Sequence, residues 1–174
     1  LFTVGEDIYA SATPSEEVSS LRTSTAEIET FLVDNAASKD VAVGGYDAYE
    51  VSFTLKPQFE GKTKVTLCNA CGEKFSLEFD TENMTVLADR SESGKMTRIK
   101  SFVLMPAAPL GLCNSSDGYD VDVFVDKCSV EVFVDGGRIA MTNLVFPSES
   151  FDNIVFESTG ESEISNMFIH KIGK

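Results

Sequence analysis

Residues 120–137 read DVDVFVDKCSVEVFVDGG, with Val at every second position on both sides of a short polar break. Successive side chains of a strand point to opposite faces, so each half offers Val on one side and acids and Phe on the other. Folding the stretch into a hairpin with Lys127 and Cys128 at its tip sets Val125 opposite Val130, Val123 opposite Val132 and Val121 opposite Val134. That ladder is one buried face. The same register sets Phe124 opposite Glu131 and Asp122 opposite Phe133, which is not ordinary solvent surface. A slip by one residue would exchange the faces, and the tip lacks the Asn-Gly or Asp-Gly that pins a two-residue turn.

The period of two continues through most of the chain. Short alternating runs occur at 26–33, 48–55, 64–69, 74–79, 84–89, 97–104, 119–126, 129–135, 138–146, 153–158 and 164–172, broken by Gly, Asn, Asp, Ser and Pro. This density predicts an all-β fold, an antiparallel two-sheet β-sandwich of the jelly-roll or lectin-like kind. Parallel α/β architecture is excluded, because no helix of crossover length separates the runs. One short N-terminal helix is expected over 14–22, where Thr13 is placed to cap, Pro14 to open the first turn and Glu16 to close a capping box. The first dozen residues, LFTVGEDIYASA, have the shape of a strand or hairpin and mark the one candidate boundary.

The length of 174 residues fits one domain of ordinary size. With 28 acidic against 14 basic residues the formal charge is −14, which repels phosphate backbones and anionic lipid. No nucleic-acid or membrane partner is expected, and a neutral one fits better. No window approaches a membrane span, and no basic-then-apolar leader opens the chain. The chain begins with Leu and reads as an excised or processed piece, so the missing leader says little about localisation. Two N-x-S/T triplets, at Asn83 and Asn114, matter only in a source that glycosylates secreted proteins.

Candidate chemistry is sparse. Cys68-x-x-Cys71-Gly has the spacing of a zinc knuckle, but Cys113 and Cys128 come singly and His170 is the one histidine. A redox CxxC would open a helix, whereas this one lies between two strands. The plainer reading ends a strand at Cys68 and turns the chain through Asn69 to Gly72. No metal or other cofactor is expected. A Ser-His-acid triad would have to use His170, which sits in the alternating run MFIHKI as a half-exposed strand residue. Paired carboxylates suffice for glycoside hydrolysis, and among 28 acids the sequence singles out no pair. DGGR (135–138) is a hairpin turn. In ADRSESGK (88–95), Arg90 follows Asp89; it can brace a turn internally or offer its planar fork to sugar hydroxyls.

The stretches PSEEVSSLR (14–22), DAYEVSFTL (47–55), VLADRSESG (86–94), DVDVFVDKCSVEVFVDGGRIAMTNLVFP (120–147) and the closing IVFES and ISNMFIHKI resemble the C-terminal β-sandwich module of glycoside hydrolase family 32. This family of β-fructosidases includes invertases, inulinases and levanases. The departures are Lys127 where Arg is usual and Cys128 where Ser is usual. The resemblance implies a catalytic propeller upstream, carrying an Asp nucleophile in W-[MV]-N-D-P-N-G, an R-D-P stabiliser and an E-C acid/base. This chain has no Trp, no Arg-Asp-Pro and no Glu-Cys, so no catalytic residue is assigned to it. By the same resemblance, residues 1–12 are the strand and linker left from the propeller, residues 13–174 are the sandwich module, and the parent is extracellular or periplasmic.

Three roles follow. The module supports its own upstream propeller, and apolar runs such as FVLMPAAPLGL (102–112) exceed what one core needs. Alternatively it binds the terminal fructose of levan or inulin, with Asp89, Arg90, Asp126 and Glu131 as carbohydrate-binding candidates, because the ADRSES and VDKCSVE turns can converge. Independent catalysis by the chain's own acids is the third role.

Overall fold

A computed structural model describes residues 1–96, 102, 105–114 and 116–173. The run expected at 97–104 lies outside the described residues apart from Phe102.

Two antiparallel sheets face each other. The six-stranded sheet has the order β10 (Ala107–Pro109), β9 (Thr85–Glu92), β8 (Lys74–Asp80), β7 (Lys62–Cys68), β14 (Asn153–Ser158) and β5 (Lys39–Ala42). The seven-stranded sheet runs β13 (Ile139–Leu144), β12 (Ser129–Val134), β11 (Tyr119–Val125), β6 (Tyr49–Pro57), β15 (Ser162–Ile172) and β3 (Arg22–Ile28), with β4 (Phe31–Val33) also paired to β15. A separate hairpin of β1 (Phe2–Val4) and β2 (Asp7–Tyr9) precedes them. This is the expected antiparallel sandwich. The run expected at 26–33 is split into the end of β3 and β4, and β5 and β10 were not among the expected runs.

The β11–β12 hairpin has the register read from its Val alternation, with Val125, Val123 and Val121 opposite Val130, Val132 and Val134. All six are buried. The tip is held by Asp126: its backbone N–H donates to the Ser129 carbonyl at 3.0 Å, and its Oδ1 accepts the Cys128 N–H at 2.9 Å. A side-chain turn of this kind does the work of an Asn-Gly pair. The next turn uses the three successive positive φ values of Asp135, Gly136 and Gly137.

Strand β15 would misplace its side chains if it alternated strictly from Ile164. A bulge between Ser165 and Phe168, with Asn166 at φ 50°, inserts the extra residue that corrects this. Met167 and Ile169 therefore join Ile164 in the core, while Phe168 and His170 stand on the outer face opposite Ser52 and Glu50. Strand β9 has a second irregularity, where its pairing with β8 shifts between Lys74 and Ser76.

The helix expected over 14–22 is present as a 3-10 turn, Glu16–Leu21. Ser15, not Thr13, is its N-cap, no side chain caps it, and the capping box does not form. The chain enters β3 at Arg22, and a segment this short with no buried residue has neither the length nor the apolar face to sustain α-helical turns.

The inner faces meet through aromatic edges. Phe156 of β14 lies edge-on to Phe53 of β6, ring centroids 5.5 Å apart, and to Phe31 of β4 at 5.3 Å. Phe156→Ala would open a cavity where the sheets touch, and a loss of about 3–5 kcal/mol is expected in denaturant unfolding. A loss below about 1 kcal/mol would show that this contact does not hold the sheets together.

Candidate functional site

The outer face of the seven-stranded sheet carries the second face of the opening hairpin. Asp122, Phe124, Glu131 and Phe133 are all half-buried. Phe124 and Phe133 meet edge-to-face at 5.9 Å. On β6, opposite Phe124, stands Glu50, which is only 1% exposed. Its carboxylate takes both arms of Arg22, Nε donating to Oε2 at 2.7 Å and Nη2 to Oε1 at 2.6 Å. The planar fork of Arg fits this bidentate geometry, and a carboxylate so covered needs it.

His170, opposite Glu50 on the next strand, places Nδ1 2.8 Å from Thr25 Oγ1 and stacks on Phe168. It is 9% exposed, more covered than the half-exposed position expected from alternation, because β3 and β6 flank it on both sides. Burial and then the Arg22 guanidinium push its pKa below the ordinary 6.5. Thr25 supplies a hydroxyl at Nδ1 where a triad would need a carboxylate. Burial, with the Glu50 and Asp120 charges, pushes Asp122 above the usual carboxylate range.

Asp126 and Glu131 line one hollow of about 230 Å³, together with Phe124, Ser129 and Val18 of the 3-10 turn. Asp126 also borders a second hollow beside Tyr49 and Pro147. Asp89 and Arg90 line neither. They lie within β9 rather than in a turn, at its irregularity, where Asp89 Oδ1 accepts the Ser91 N–H at 2.8 Å. The Arg90 guanidinium stands 4.5 Å from the Phe102 ring and Nη1 reaches the Leu144 carbonyl at 3.4 Å, which is the bracing use of this residue. ADRSES and VDKCSVE both bond the stretch 144–146, Ser93 accepting the Phe146 N–H at 3.1 Å and Cys128 accepting the Val145 N–H at 2.9 Å, but only the acids of VDKCSVE line these two hollows. Leu144 and Phe102, the partners of Arg90, carry no sequence signal that would have paired them with it.

The CxxC segment is the turn between β7 and β8. Cys68 ends β7, and Asn69 Oδ1 accepts the N–H groups of Cys71 and Glu73, each at 3.1 Å. All four cysteines are unpaired. Burial pushes the Cys113 thiol up to about 12 and also raises Cys68, while the Asp126 carboxylate raises Cys128. Thiols shifted this way are poor ligands and poor nucleophiles at neutral pH.

The Arg22–Glu50–Asp122–His170 cluster makes two measurable statements. Arg22→Ala, which strands the Glu50 carboxylate, is expected to cost about 2 kcal/mol, with partial recovery in Arg22→Lys. A raised carboxyl pKa stabilises the fold below the unfolded-state value of 3.8 and loses that contribution as pH rises through the folded value. Asp122→Asn is therefore expected to exceed wild type at pH 7 by up to about 1 kcal/mol, an advantage that shrinks toward pH 4 in denaturant titrations. The lowered His170 acts oppositely, its contribution present above 6.5 and lost as pH falls through the folded value. An Asp122→Asn advantage that did not vary with pH would contradict the assignment.

Comparison with known proteins places this arrangement. A levanase of Bacillus subtilis (strain 168) is 25% identical over 173 residues, covering 97% of this chain and 25% of that protein. An exo-inulinase structure from Aspergillus awamori superposes with a TM-score of 0.75 at 24% identity, over 99% of this chain and 34% of that one. A sucrose-6-phosphate hydrolase structure from Lactobacillus gasseri gives 0.71 at 19% identity, over 94% of this chain and 31% of that one. The chain thus spans about a quarter of the levanase and a third of the inulinase. The family described as "Glycosyl hydrolases family 32 C terminal" matches residues 17–171, and the chain belongs to it.

Proposed function

We propose that this chain is the non-catalytic C-terminal module of a glycoside hydrolase acting on fructans or sucrose, and that its main work is to hold an upstream catalytic propeller. The observation that carries this reading is the β1–β2 hairpin. It stands outside both sheets, and an isolated two-stranded hairpin is marginal in water. It is tied to the sandwich at its base, where the Ala12 N–H donates to the Gly137 carbonyl at 3.0 Å and the Arg138 guanidinium covers the Phe2 ring at 4.7 Å. Gly137 has φ +76°, and a Cβ there would fall 1.8 Å from the Ala12 carbonyl oxygen, so the tie requires glycine. Leu1 and Ile8 are 92% and 72% exposed, apolar surface suited to a further body. Residues 1–12 then serve as the strand and linker from the propeller, and 13–174 as the module.

The absence of Trp, of Arg-Asp-Pro and of Glu-Cys supports a purely supporting role, since these carry the family's chemistry upstream. The name of the relative, levanase, favours a fructan-cleaving parent that is extracellular or periplasmic. A second reading, recognition of a terminal fructose by the module itself, is favoured by the hollow that Asp126 and Glu131 share.

The isolated chain is expected to release no fructose from sucrose or levan, and to associate with the separately produced upstream part of its parent. Gly137→Ala is expected to weaken that association by about tenfold or more while the sandwich still unfolds cooperatively. Fructose release by the isolated chain, or no association with the upstream part, would remove this function.

A further inference from the structure

Charge is unevenly spread along this acidic chain. The longest stretches without Asp, Glu, Lys or Arg are 101–116 and 139–148, followed by 8–15 and 65–72. The last of these lies in β7 and the turn after it, and β7 is a central strand. The other three lie at the rim of the fold: 8–15 in the linker and its hairpin, 101–116 around β10, and 139–148 in β13 and the segment after it. Strands β10 and β13 each end their sheet.

The three rim stretches come together. Ala10 and Ala12, Ala108 and Leu112, and Ile139 and Ala140 line one hollow of about 270 Å³. Hydrogen bonds tie the surroundings of β13 to those of β9 and β10: Arg138 Nη1 donates to the Leu112 carbonyl at 3.1 Å, and the Phe146 N–H to the Ser93 carbonyl at 3.1 Å. Each stretch also leaves one large apolar side chain in the open, Ile8 at 72%, Met105 at 50% and Leu144 at 49% exposure. Strand β13 has none of the features that guard a sheet edge: no charge, no proline and no bulge against β12. The far edges of the two sheets are charged, with Arg22 and Glu27 in β3 and Lys39 and Asp40 in β5.

Two cations frame β13. Arg138 precedes its first residue, and Arg90 reaches the Leu144 carbonyl at its last. Neither forms an ion pair among the described residues, although the chain has 28 acids against 14 bases. Asp135 spends both oxygens on the N–H groups of Asn114 and Asp120, and Asp89 turns to the Ser91 N–H. An uncharged centre with arginine at its margin is the composition of a protein–protein interface.

We propose that the β10–β13 side of the sandwich is the seat of the upstream catalytic body, which covers Ala140, Leu144 and Met105 with apolar surface and brings carboxylates to Arg90 and Arg138. The proposal rests on the packing role and adds its location. Two further observations choose this occupant. The linker is tied at Gly137, just before β13, so the chain arrives from upstream on this side. The levanase and inulinase relatives extend far beyond the matched part, this chain covering 25% and 34% of them, so a body of sufficient size accompanies the module in such proteins.

Hydrogen–deuterium exchange, compared between the full-length parent and this chain, tests the location. Amides of 139–148 and 105–113 are expected to exchange at least about tenfold more slowly in the parent, and those of 22–29 and 39–42 at the same rate. In binding to the separately produced upstream part, Ala140→Lys and Leu144→Lys, both at exposed positions, are each expected to weaken association about tenfold with Tm unchanged. Ser24→Lys, exposed on β3, should have no effect. Arg90→Gln is expected to weaken association about threefold and to flatten its dependence on salt concentration. The seat is overturned by protection that falls on β3 and β5 instead, by association indifferent to both β13 variants, or by an equal loss in Ser24→Lys. Self-association of the chain that Leu144→Lys abolishes while the upstream part still binds would give this side to a second copy, and also overturns it. These outcomes leave the packing role standing, whereas a wild-type chain that does not associate with the upstream part removes both.

Discussion

The burial of the Val ladder, together with a tip closed by the Cys128 N–H on the Asp126 carboxylate, sets which side of the central hairpin faces inward. Side chains alternate with a period of two, so this turn sets the parity of β11 and β12, and through them of β6 and β13. With the parity set this way, Val121, Val123, Val130 and Val132 face the other sheet, and Phe124, Glu131 and Phe133 face outward. Asp126 thus joins fold to site. It closes the turn with one oxygen and borders two hollows.

The sandwich and this register were legible because periodicity is a local property, and the Val ladder has only one arrangement that buries it. The bulges were not legible. ISNMFIHKI reads as an unbroken alternation, and only the positive φ of Asn166 shows where an extra residue is absorbed. The burial of His170 was not legible either, because it comes from β3 and β6 flanking it on the outer face, a tertiary relation. Strand β5, KDVA, has a single buried apolar residue and is made a strand by its pairing with β14, a tertiary effect on a weak local preference.

Site geometry was less accessible than the fold. Asp126 and Glu131 come together because they share one hairpin, a relation that spacing encodes. Asp89 and Arg90 lie on a strand of the other sheet and reach the same stretch, residues 144–146, as the hairpin tip does, a meeting that no spacing in the sequence encodes. Tyr49 and Pro147 border one hollow although nearly a hundred positions separate them, and neither has a pattern to mark it. Tyr49 reads simply as the first apolar residue of a strand, and its unsatisfied hydroxyl is visible only in three dimensions.

The position of β15 also governs the order in which the molecule can be assembled. This last strand lies between β6 and β3, while β14 lies between β7 and β5, so each sheet is completed only by residues near the end of the chain. Closing ladders over such sequence separations makes folding slow, because the entropy of ordering the intervening chain is lost before the contacts form. A chain emerging from the ribosome would hold β3 and β5 without their partners until β14 and β15 have followed. The exposed edges of the half-built sheets are then the vulnerable surface, and the module's safety during synthesis depends on the speed with which its last two strands are inserted.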